Sequence, residues 1–298
     1  MAVRTTNLSY PRHVSEEIDL LSRALGGAYR VFLFADYGGT LVPHGDGDDP
    51  CPTDDLLRRL EQLSHVESFS LYVSSGRPIA ELDELLGLDD VGLIGQSGFE
   101  IRKPGGETTH PVDVGGVGQL LQHIELEAHG CLCEHPEVEV VNTGYSISLK
   151  HGSCDCDTAR SATHCFSGLV RSLDTHGQLE VLYNRRTVEA RMAGWRKGDA
   201  VGHVLRDANI EDTLAIYIGD DVTDEEAFEA LGAWSGDKAD DSPWFIGDPD
   251  DDDDFVPRAL PILVSPSPRP TTASLFVRGP HEVYEFLSSV TAIASALM

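Results

Sequence analysis

Lysine is scarce in this chain, and positive charge of any kind is in short supply. Lysine and arginine together number 22, against 50 aspartates and glutamates, which gives a formal net charge of −28. This charge argues against nucleic acid as a partner, because phosphate backbones require a basic surface. A strongly acidic, lysine-poor composition is typical of proteins in a high-salt cytoplasm, where salt screens the mutual repulsion. We therefore expect a halophilic source.

Long apolar runs are also missing. No uninterrupted apolar stretch reaches the length needed to cross a bilayer. The first twelve residues lack the apolar segment of a secretory signal. Both absences favour a cytoplasmic protein without membrane contact. In that compartment the six cysteines are expected to be thiols or metal ligands rather than disulfides.

The apolar run from Val31 to Ala35 predicts a strand that is buried on both faces. It ends at Asp36, and Gly38 and Gly39 follow. Open α/β sheets bind their ligands at the carboxyl ends of parallel strands, so this carboxylate is a candidate functional group. An aspartate that merely caps a turn is the alternative for this segment considered alone.

The order of the predicted elements indicates an α/β protein with an insertion. Strands and helices alternate up to about residue 103, which implies a Rossmann-like parallel sheet with right-handed crossovers. The pattern then changes to two helices and two strand pairs, one of them a hairpin turning at residues 142–144. The α/β pattern resumes afterwards. We predict an N-terminal arm and helix (1–28), a core domain (29–103 and 192–298) and an inserted α+β cap domain (104–191).

Four segments at strand ends or helix starts supply the parts of a phosphoryl-transfer site. Asp36 is a candidate nucleophile or metal ligand, and Ser75 is a hydroxyl at a helix start that can hold a phosphate oxygen. Lys197 is a cation at another helix start. An acidic cluster that suits Mg²⁺ follows the strand at 213–218. It consists of Asp220, Asp221 and Asp224. The metal and the lysine are both needed to offset repulsion between an anionic nucleophile and an anionic substrate.

The order of these segments resembles the haloacid dehalogenase superfamily of phosphatases, and within it the trehalose-6-phosphate phosphatases. The matching segments are D-Y-G-G-T from Asp36, S-G-R from Ser75, E-A-R-M-A-G-W-R-K-G from Glu189 and G-D-D-V-T-D-E from Gly219. The resemblance implies an Mg²⁺-dependent hydrolase of a small sugar phosphate, trehalose 6-phosphate above all. It also implies a cap that closes over the sugar, and it suggests a trehalose-phosphate synthase as a partner.

Carried over position by position, the resemblance gives a role to each matching residue. Asp36 would form an aspartyl-phosphate and would bind Mg²⁺ together with Asp220 and the backbone carbonyl of Gly38. Lys197 and Ser75 would hold the phosphoryl group. The remaining candidates are Gly76, Arg77 and Glu189 for the substrate, and Asp221 and Asp224 for support of the metal. Arg77 has an alternative role in a simple salt bridge at the helix start.

Gly38 departs from the family pattern. The family carries a second aspartate there, which protonates the leaving oxygen and then activates water, and such help is worth about 10²–10⁴-fold in rate. Three alternatives stay open: a slow phosphatase, a phosphatase that recruits another group, and a sugar-phosphate sensor or synthase partner without turnover. Phosphonoacetaldehyde hydrolases carry D-W-A-G-T at this place and are a further alternative, with Lys150 or Lys103 as the Schiff-base lysine.

Two further patterns concern the cysteines and the acidic run. Residues 131–133 and 154–156 meet at the open end of the predicted hairpin, where Zn²⁺ could bind. The four candidate ligands are Cys131, Cys133, Cys154 and Cys156. Four unliganded thiols are the alternative that we favour, because C-x-C is not the usual spacing of a zinc knuckle. The run Asp250–Asp254 predicts a solvated loop.

Overall fold

The computed structural model describes residues 8–45, 50–152, 154–183, 186–236 and 256–297. The predicted acidic loop at Asp250–Asp254 and the first seven residues of the predicted arm lie outside these ranges. The chain divides into two compact units, the first made of residues 1–111 and 196–298 and the second of residues 112–195. Among the described residues, no helix combines the length and the apolar character required to cross a bilayer.

A nine-stranded sheet forms the centre of the first unit. Its order is β1-β13-β12-β11-β2-β3-β4-β5-β6, and all neighbours are parallel except the pairs β4–β5 and β5–β6. The strands are β1 (Arg12–His13), β2 (Arg30–Asp36), β3 (Phe69–Ser74), β4 (Gly92–Gly95), β5 (Glu100–Arg102), β6 (Thr108–Thr109), β11 (Thr213–Gly219), β12 (Ala259–Val264) and β13 (Leu275–Val277). The predicted parallel α/β sheet is thus confirmed, with β2 and β11 at its middle.

Helices cover both faces of this sheet, which explains why β2 and β11 are apolar along nearly their whole length. The helices of this unit within the described residues are α1 (Ile18–Gly26), α2 (Asp54–Ser64), α3 (Ile79–Leu86), α6 (Lys197–Leu205), α7 (Val222–Ser235) and α8 (Pro280–Leu297). On one face, Leu33 and Ile216 share a buried cluster with residues of α1, α2, α3 and α8. On the other face, the ring of Tyr217 packs edge-on against Phe228 of α7, with ring centroids 5.8 Å apart. Apolar and aromatic side chains therefore pack against both faces of the sheet at these positions.

The second unit is a four-stranded antiparallel sheet with two helices. The sheet order is β7-β8-β10-β9. Its elements are α4 (Gly115–Cys131), β7 (Glu139–Asn142), β8 (Ser146–Lys150), α5 (Cys156–Leu173), β9 (Leu179–Tyr183) and β10 (Thr187–Met192). The predicted hairpin at residues 142–144 is confirmed by the pairing of Asn142 with Ile147, and Gly144 supplies the positive φ of its turn. One face of the sheet and the two helices enclose a separate apolar core.

The prediction of thiols or metal ligands is wrong for Cys131 and Cys165, which form a disulfide. The two cysteines belong to helices α4 and α5, which pack against each other in the core of the second unit. Cys131 therefore contacts α5 instead of the open end of the hairpin. Cys133 and Cys156 are exposed thiols. Within the described residues the only group with the geometry of a metal site is a set of carboxylates, so the zinc site is not formed.

The apolar spacing of Val14, Ile18, Leu21 and Leu25 predicts a helix from His13 to Leu25. In the structure α1 starts later, at Ile18, and is preceded by a short 3-10 turn over Val14–Glu16. The reason is that His13 belongs to β1 and pairs with Phe276, while its ring accepts a hydrogen bond from the N–H of Ser15. Pairing with the sheet thus overrides local helical propensity at this end.

His13 also contributes to a polar cluster around Glu282 at the start of α8. The Glu282 carboxylate accepts hydrogen bonds from the backbone N–H of Arg278 at 2.7 Å and from its guanidinium at 2.9 Å, and it lies 2.9 Å from His13 Nε2. Burial alone would raise the pKa of Glu282, but these contacts outweigh it and lower the pKa to about 2. A pKa below the unfolded value means that the carboxylate stabilises the fold above about pH 4.5 and ceases to do so as the pH falls towards 2.

We expect Glu282→Gln to lower the free energy of unfolding by about 2 kcal/mol at pH 7, the range measured for hydrogen bonds to charged groups. The difference from the parent should shrink steadily between about pH 4.5 and pH 2. Urea unfolding at pH 7, 5 and 3 measures this. Glu285→Gln, one turn further along and 66% exposed, is the matched control and should change little. An equal difference in the free energy of unfolding between parent and variant at all three pH values would contradict the expectation.

Candidate active site

The carboxyl ends of β2, β3 and β11 bring three predicted residues to one edge of the sheet. Asp36 is the last residue of β2, Ser75 follows β3, and Asp220 follows β11. The three strands are adjacent and parallel, with Ala35 paired to Ile218 and Asp36 paired to Ser74. Asp36 and Ser75 are each 7% exposed, so their polar groups open only onto this edge.

Lys197 bridges two of the carboxylates. It is the first residue of α6, only 3% exposed, and its Nζ lies 2.5 Å from Asp36 Oδ1 and 2.6 Å from Asp224 Oδ1. Burial lowers the pKa of Lys197, but the charges of Asp224 and Asp36 outweigh burial and hold it well above its usual value. The ammonium therefore stays charged beside the candidate nucleophile.

Asp224 is fully buried and acts as an anchor. Its Oδ1 also accepts a hydrogen bond from the Tyr217 hydroxyl at 2.8 Å, and its Oδ2 accepts from the N–H groups of Asp220 and Asp221 at 2.9 and 3.1 Å. With Lys197, these donors occupy both oxygens. Asp224 therefore fixes the turn between β11 and α7. Asp221 is exposed and caps α7, accepting from the N–H of Thr223 at 2.5 Å.

Asp220 has its own set of contacts. Its Oδ1 accepts a hydrogen bond from the Thr40 hydroxyl at 3.4 Å, and its Oδ2 lies 2.9 Å from His44 Nε2. Burial raises the pKa of Asp220 to about 6, with a further contribution from the charge of Asp224 and an opposing one from His44. Burial likewise raises the pKa of Asp36 well above its usual value, against the opposing charge of Lys197.

The raised pKa values of Asp36 and Asp220 reflect burial first and, after it, the repulsion between neighbouring carboxylates. Oxygens of Asp36, Asp220 and Asp224 lie within 4.8 Å of one another, and one ammonium cannot neutralise three carboxylates. A divalent cation would neutralise the excess negative charge of the three carboxylates. An all-oxygen donor set matches Mg²⁺. Asp224 is fully buried and has four donors at 2.6–3.1 Å, whereas the partners of the Asp220 carboxylate are a longer contact from Thr40 and the exposed His44, so Asp36 and Asp220 are the carboxylates that fit such an ion.

The turn after Asp36 depends on glycine. Gly39 has φ +83°, and a Cβ added there would lie 2.4 Å from Asp220 Oδ2 and 2.5 Å from His44 Nε2. Gly38, the predicted carbonyl ligand, is half-buried in the same turn and forms a bridge with Val42. The chain can therefore approach Asp220 closely only without a side chain at position 39.

The candidate phosphate loop follows β3. Ser75 Oγ accepts a hydrogen bond from the N–H of Arg77 at 3.2 Å, across Gly76, and its carbonyl accepts from the N–H of Ser97. The Arg77 guanidinium pairs with Glu81 one turn along α3 and lies 6.0 Å from the centre of the Tyr37 ring. The contacts described for Arg77 are thus those of a salt bridge at the helix start, the alternative to phosphate binding given above.

The remaining residues considered from the sequence lie outside the carboxylate cluster; they are Glu189, Lys150 and Lys103. Glu189 is half-buried on β10 of the second unit, opposite Ser148 and Leu182. Lys150 is in the same unit and lies 3.6 Å from Glu139. Lys103 follows β5 in the first unit. None of these three belongs to the carboxylate cluster formed by the described residues.

Three residues of the site were not predicted. Tyr217 looks like one more apolar residue of β11. Its ring stacks on Phe34, which lies two residues before Asp36 on β2 and therefore on the same face of the sheet. Thr40 and His44 follow the glycine turn, and His44 lies in a polar segment without periodicity. Only the folded chain shows that both contact Asp220.

The chain is similar to known proteins of one family. The family model described as Trehalose-phosphatase matches residues 34–259. A bifunctional trehalose-6-phosphate synthase/phosphatase of Thermoproteus tenax is 32% identical over 221 residues, covering 73% of this chain and 30% of that protein. A trehalose-phosphate phosphatase of Mycobacterium marinum is 29% identical over 232 residues, covering 74% of this chain and 57% of that protein. The chain therefore spans only part of the length of these curated relatives.

Among solved structures, the C-terminal domain of trehalose-6-phosphate phosphatase from C. albicans superposes with a TM-score of 0.75. The two sequences are 22% identical, and the match covers 96% of this chain and 99% of that one. At this identity the likeness shows the fold. It supports the parallel-sheet architecture described above.

Proposed function

Because the chain belongs to the trehalose-phosphatase family, we propose that it is an Mg²⁺-dependent sugar-phosphate phosphatase with trehalose 6-phosphate as its favoured substrate. The observation that carries the proposal is the contact of 2.5 Å between Lys197 Nζ and Asp36 Oδ1, at the edge of the sheet where Asp220 supplies a second carboxylate. A carboxylate beside a buried ammonium and a cation site is suited to attack on a phosphoryl group.

In the proposed reaction, Asp36 attacks phosphorus, the bond between phosphorus and the sugar oxygen breaks, and the sugar leaves as an alcohol that takes its proton from solvent. The product on the enzyme is an aspartyl-phosphate, which water then hydrolyses to inorganic phosphate and free Asp36. Lys197 and Ser75 donate hydrogen bonds to the phosphoryl oxygens. Asp36, Asp220 and the carbonyl of Gly38 would hold Mg²⁺, which when bound offsets the negative charge of the phosphoryl group. Asp224 keeps Lys197 and the β11–α7 turn in place.

Gly38 supports a second candidate function. It provides no side chain to protonate the departing sugar oxygen or to activate water, so turnover is expected to be slow. A chain that binds a sugar phosphate and does not release phosphate would act as a sensor, or as the partner of a synthase. The bifunctional synthase/phosphatase relative supports the link with a trehalose-phosphate synthase.

A high-salt cytoplasm, inferred from the acidic composition, is also part of the proposal.

Phosphate release from trehalose 6-phosphate, measured at high salt with Mg²⁺ and again with excess EDTA, tests the proposal. We expect release that depends on Mg²⁺ and exceeds release from glucose 6-phosphate. Tight binding of trehalose 6-phosphate without release would support the sensor instead. Absence of both binding and release would contradict the two candidate functions together.

A further inference from the structure

Asp220, the proposed metal ligand, is also held through its backbone. Its N–H donates to Asp224, as described above, and its carbonyl oxygen accepts a hydrogen bond from Arg269 Nη2 at 3.1 Å. Arg269 lies in the segment between β12 and β13, which belongs to neither β11 nor α7. A residue remote in sequence therefore fixes one of the two backbone groups of this ligand.

Glu225 in turn orients Arg269. Its Oε1 accepts a hydrogen bond from Arg269 Nη1 at 3.1 Å and from the Thr271 hydroxyl at 2.7 Å. Its Oε2 accepts from the N–H and the hydroxyl of Thr272, at 2.9 and 2.7 Å. This carboxylate is only 19% exposed in its side chain and has four donors, so its position is closely determined.

We propose that Arg269, oriented by Glu225, is a positioning residue that sets the direction of the Asp220 carboxylate towards Asp36. This inference rests on the proposed function. Arg269 touches neither carboxylate of the cation site. It acts through the peptide group of Asp220, as groups outside the ligand shell of a metal site commonly do. Thr40 and His44 hold the carboxylate end of the same residue, so Asp220 is restrained at both ends.

The alternative is that the Arg269–Glu225 pair only stabilises the fold. The side chain of Arg269 is 37% exposed, and an ion pair with one partner open to solvent contributes little to stability. A structural role would lower the melting temperature without changing the affinity for metal. A positioning role changes the affinity for metal, because it alters the distance between the two carboxylates that share the ion.

Titration of the full chain with Mn²⁺, followed by the electron paramagnetic resonance of free Mn²⁺, separates these roles. We expect Arg269→Ala to weaken Mn²⁺ binding about 10-fold, as loss of an outer partner commonly does. Glu225→Gln should weaken it in the same direction. Arg278→Ala is the matched control, because it breaks an Arg–Glu contact of 2.9 Å that does not involve Asp220, and it should bind Mn²⁺ like the parent.

Parental Mn²⁺ affinity in Arg269→Ala and Glu225→Gln, with or without a lower melting temperature, would overturn the inference and leave the proposed function intact. If one variant does not fold, the other gives the same decision. A parent chain that binds no Mn²⁺ would overturn the metal dependence of the proposed function, and this inference with it.

Discussion

Asp36→Asn is expected to abolish phosphate release from trehalose 6-phosphate, with a loss of about 10⁴-fold or more in kcat, as for removal of nucleophiles in other enzymes. The amide has nearly the same shape as the carboxylate, but it is a poor nucleophile and a weak ligand for Mg²⁺. Lys197 retains Asp224 as a partner at 2.6 Å, so the buried ammonium is not left alone. Phosphate release under single-turnover conditions is the measurement.

Asp83→Asn is the matched control for this substitution. Asp83 lies on α3 of the same unit, where its carboxylate accepts a hydrogen bond from Arg102 at 2.6 Å. The change removes one negative charge there without touching Asp36, and turnover should be unaffected. Residual turnover of Asp36→Asn within about 10-fold of the parent would show that another group attacks phosphorus.

Gly38→Asp is expected to raise kcat by about 10²–10⁴-fold, the usual contribution of a general acid and base. The turn that contains Gly38 is held by neighbouring backbone groups: Tyr37 O accepts from the N–H groups of Leu41 and Val42, and the N–H of Gly39 donates to Val42 O. None of these bonds uses the side-chain position of residue 38. The new carboxyl group would be two residues from Asp36, on the same turn.

Gly38→Asn is the control that separates proton transfer from shape. It adds a side chain of similar size that cannot act as an acid or base at neutral pH, so it should not raise the rate. An equal gain from Asn and Asp would attribute the effect to the shape of the turn. No gain from Asp, in a chain that releases phosphate and depends on Asp36, would show that another group already transfers the proton.

The sequence predicts the centre of the site because its parts follow regular elements. Asp36 and Lys197 are 161 residues apart, yet a carboxylate at the end of a buried parallel strand and a lysine at a helix start are expected at the same edge of the sheet. The contacts that no pattern predicts depend on tertiary packing. They include His44 beside Asp220, the Cys131–Cys165 disulfide between two helices, and the pairing of the short strands β1 and β13, which have too few residues to show periodicity.

The central pairing of the sheet has a consequence for how the chain folds during synthesis. β2 pairs with β11 along six residues, from Arg30 with Thr213 to Ala35 with Ile218. The whole second unit is made between these two strands, and its own four strands pair only with one another. That unit can therefore complete its sheet while the strand carrying Asp36 still has one edge unpaired. An unpaired apolar edge invites association with other chains, so the growing chain is most vulnerable to aggregation until residue 219 emerges from the ribosome.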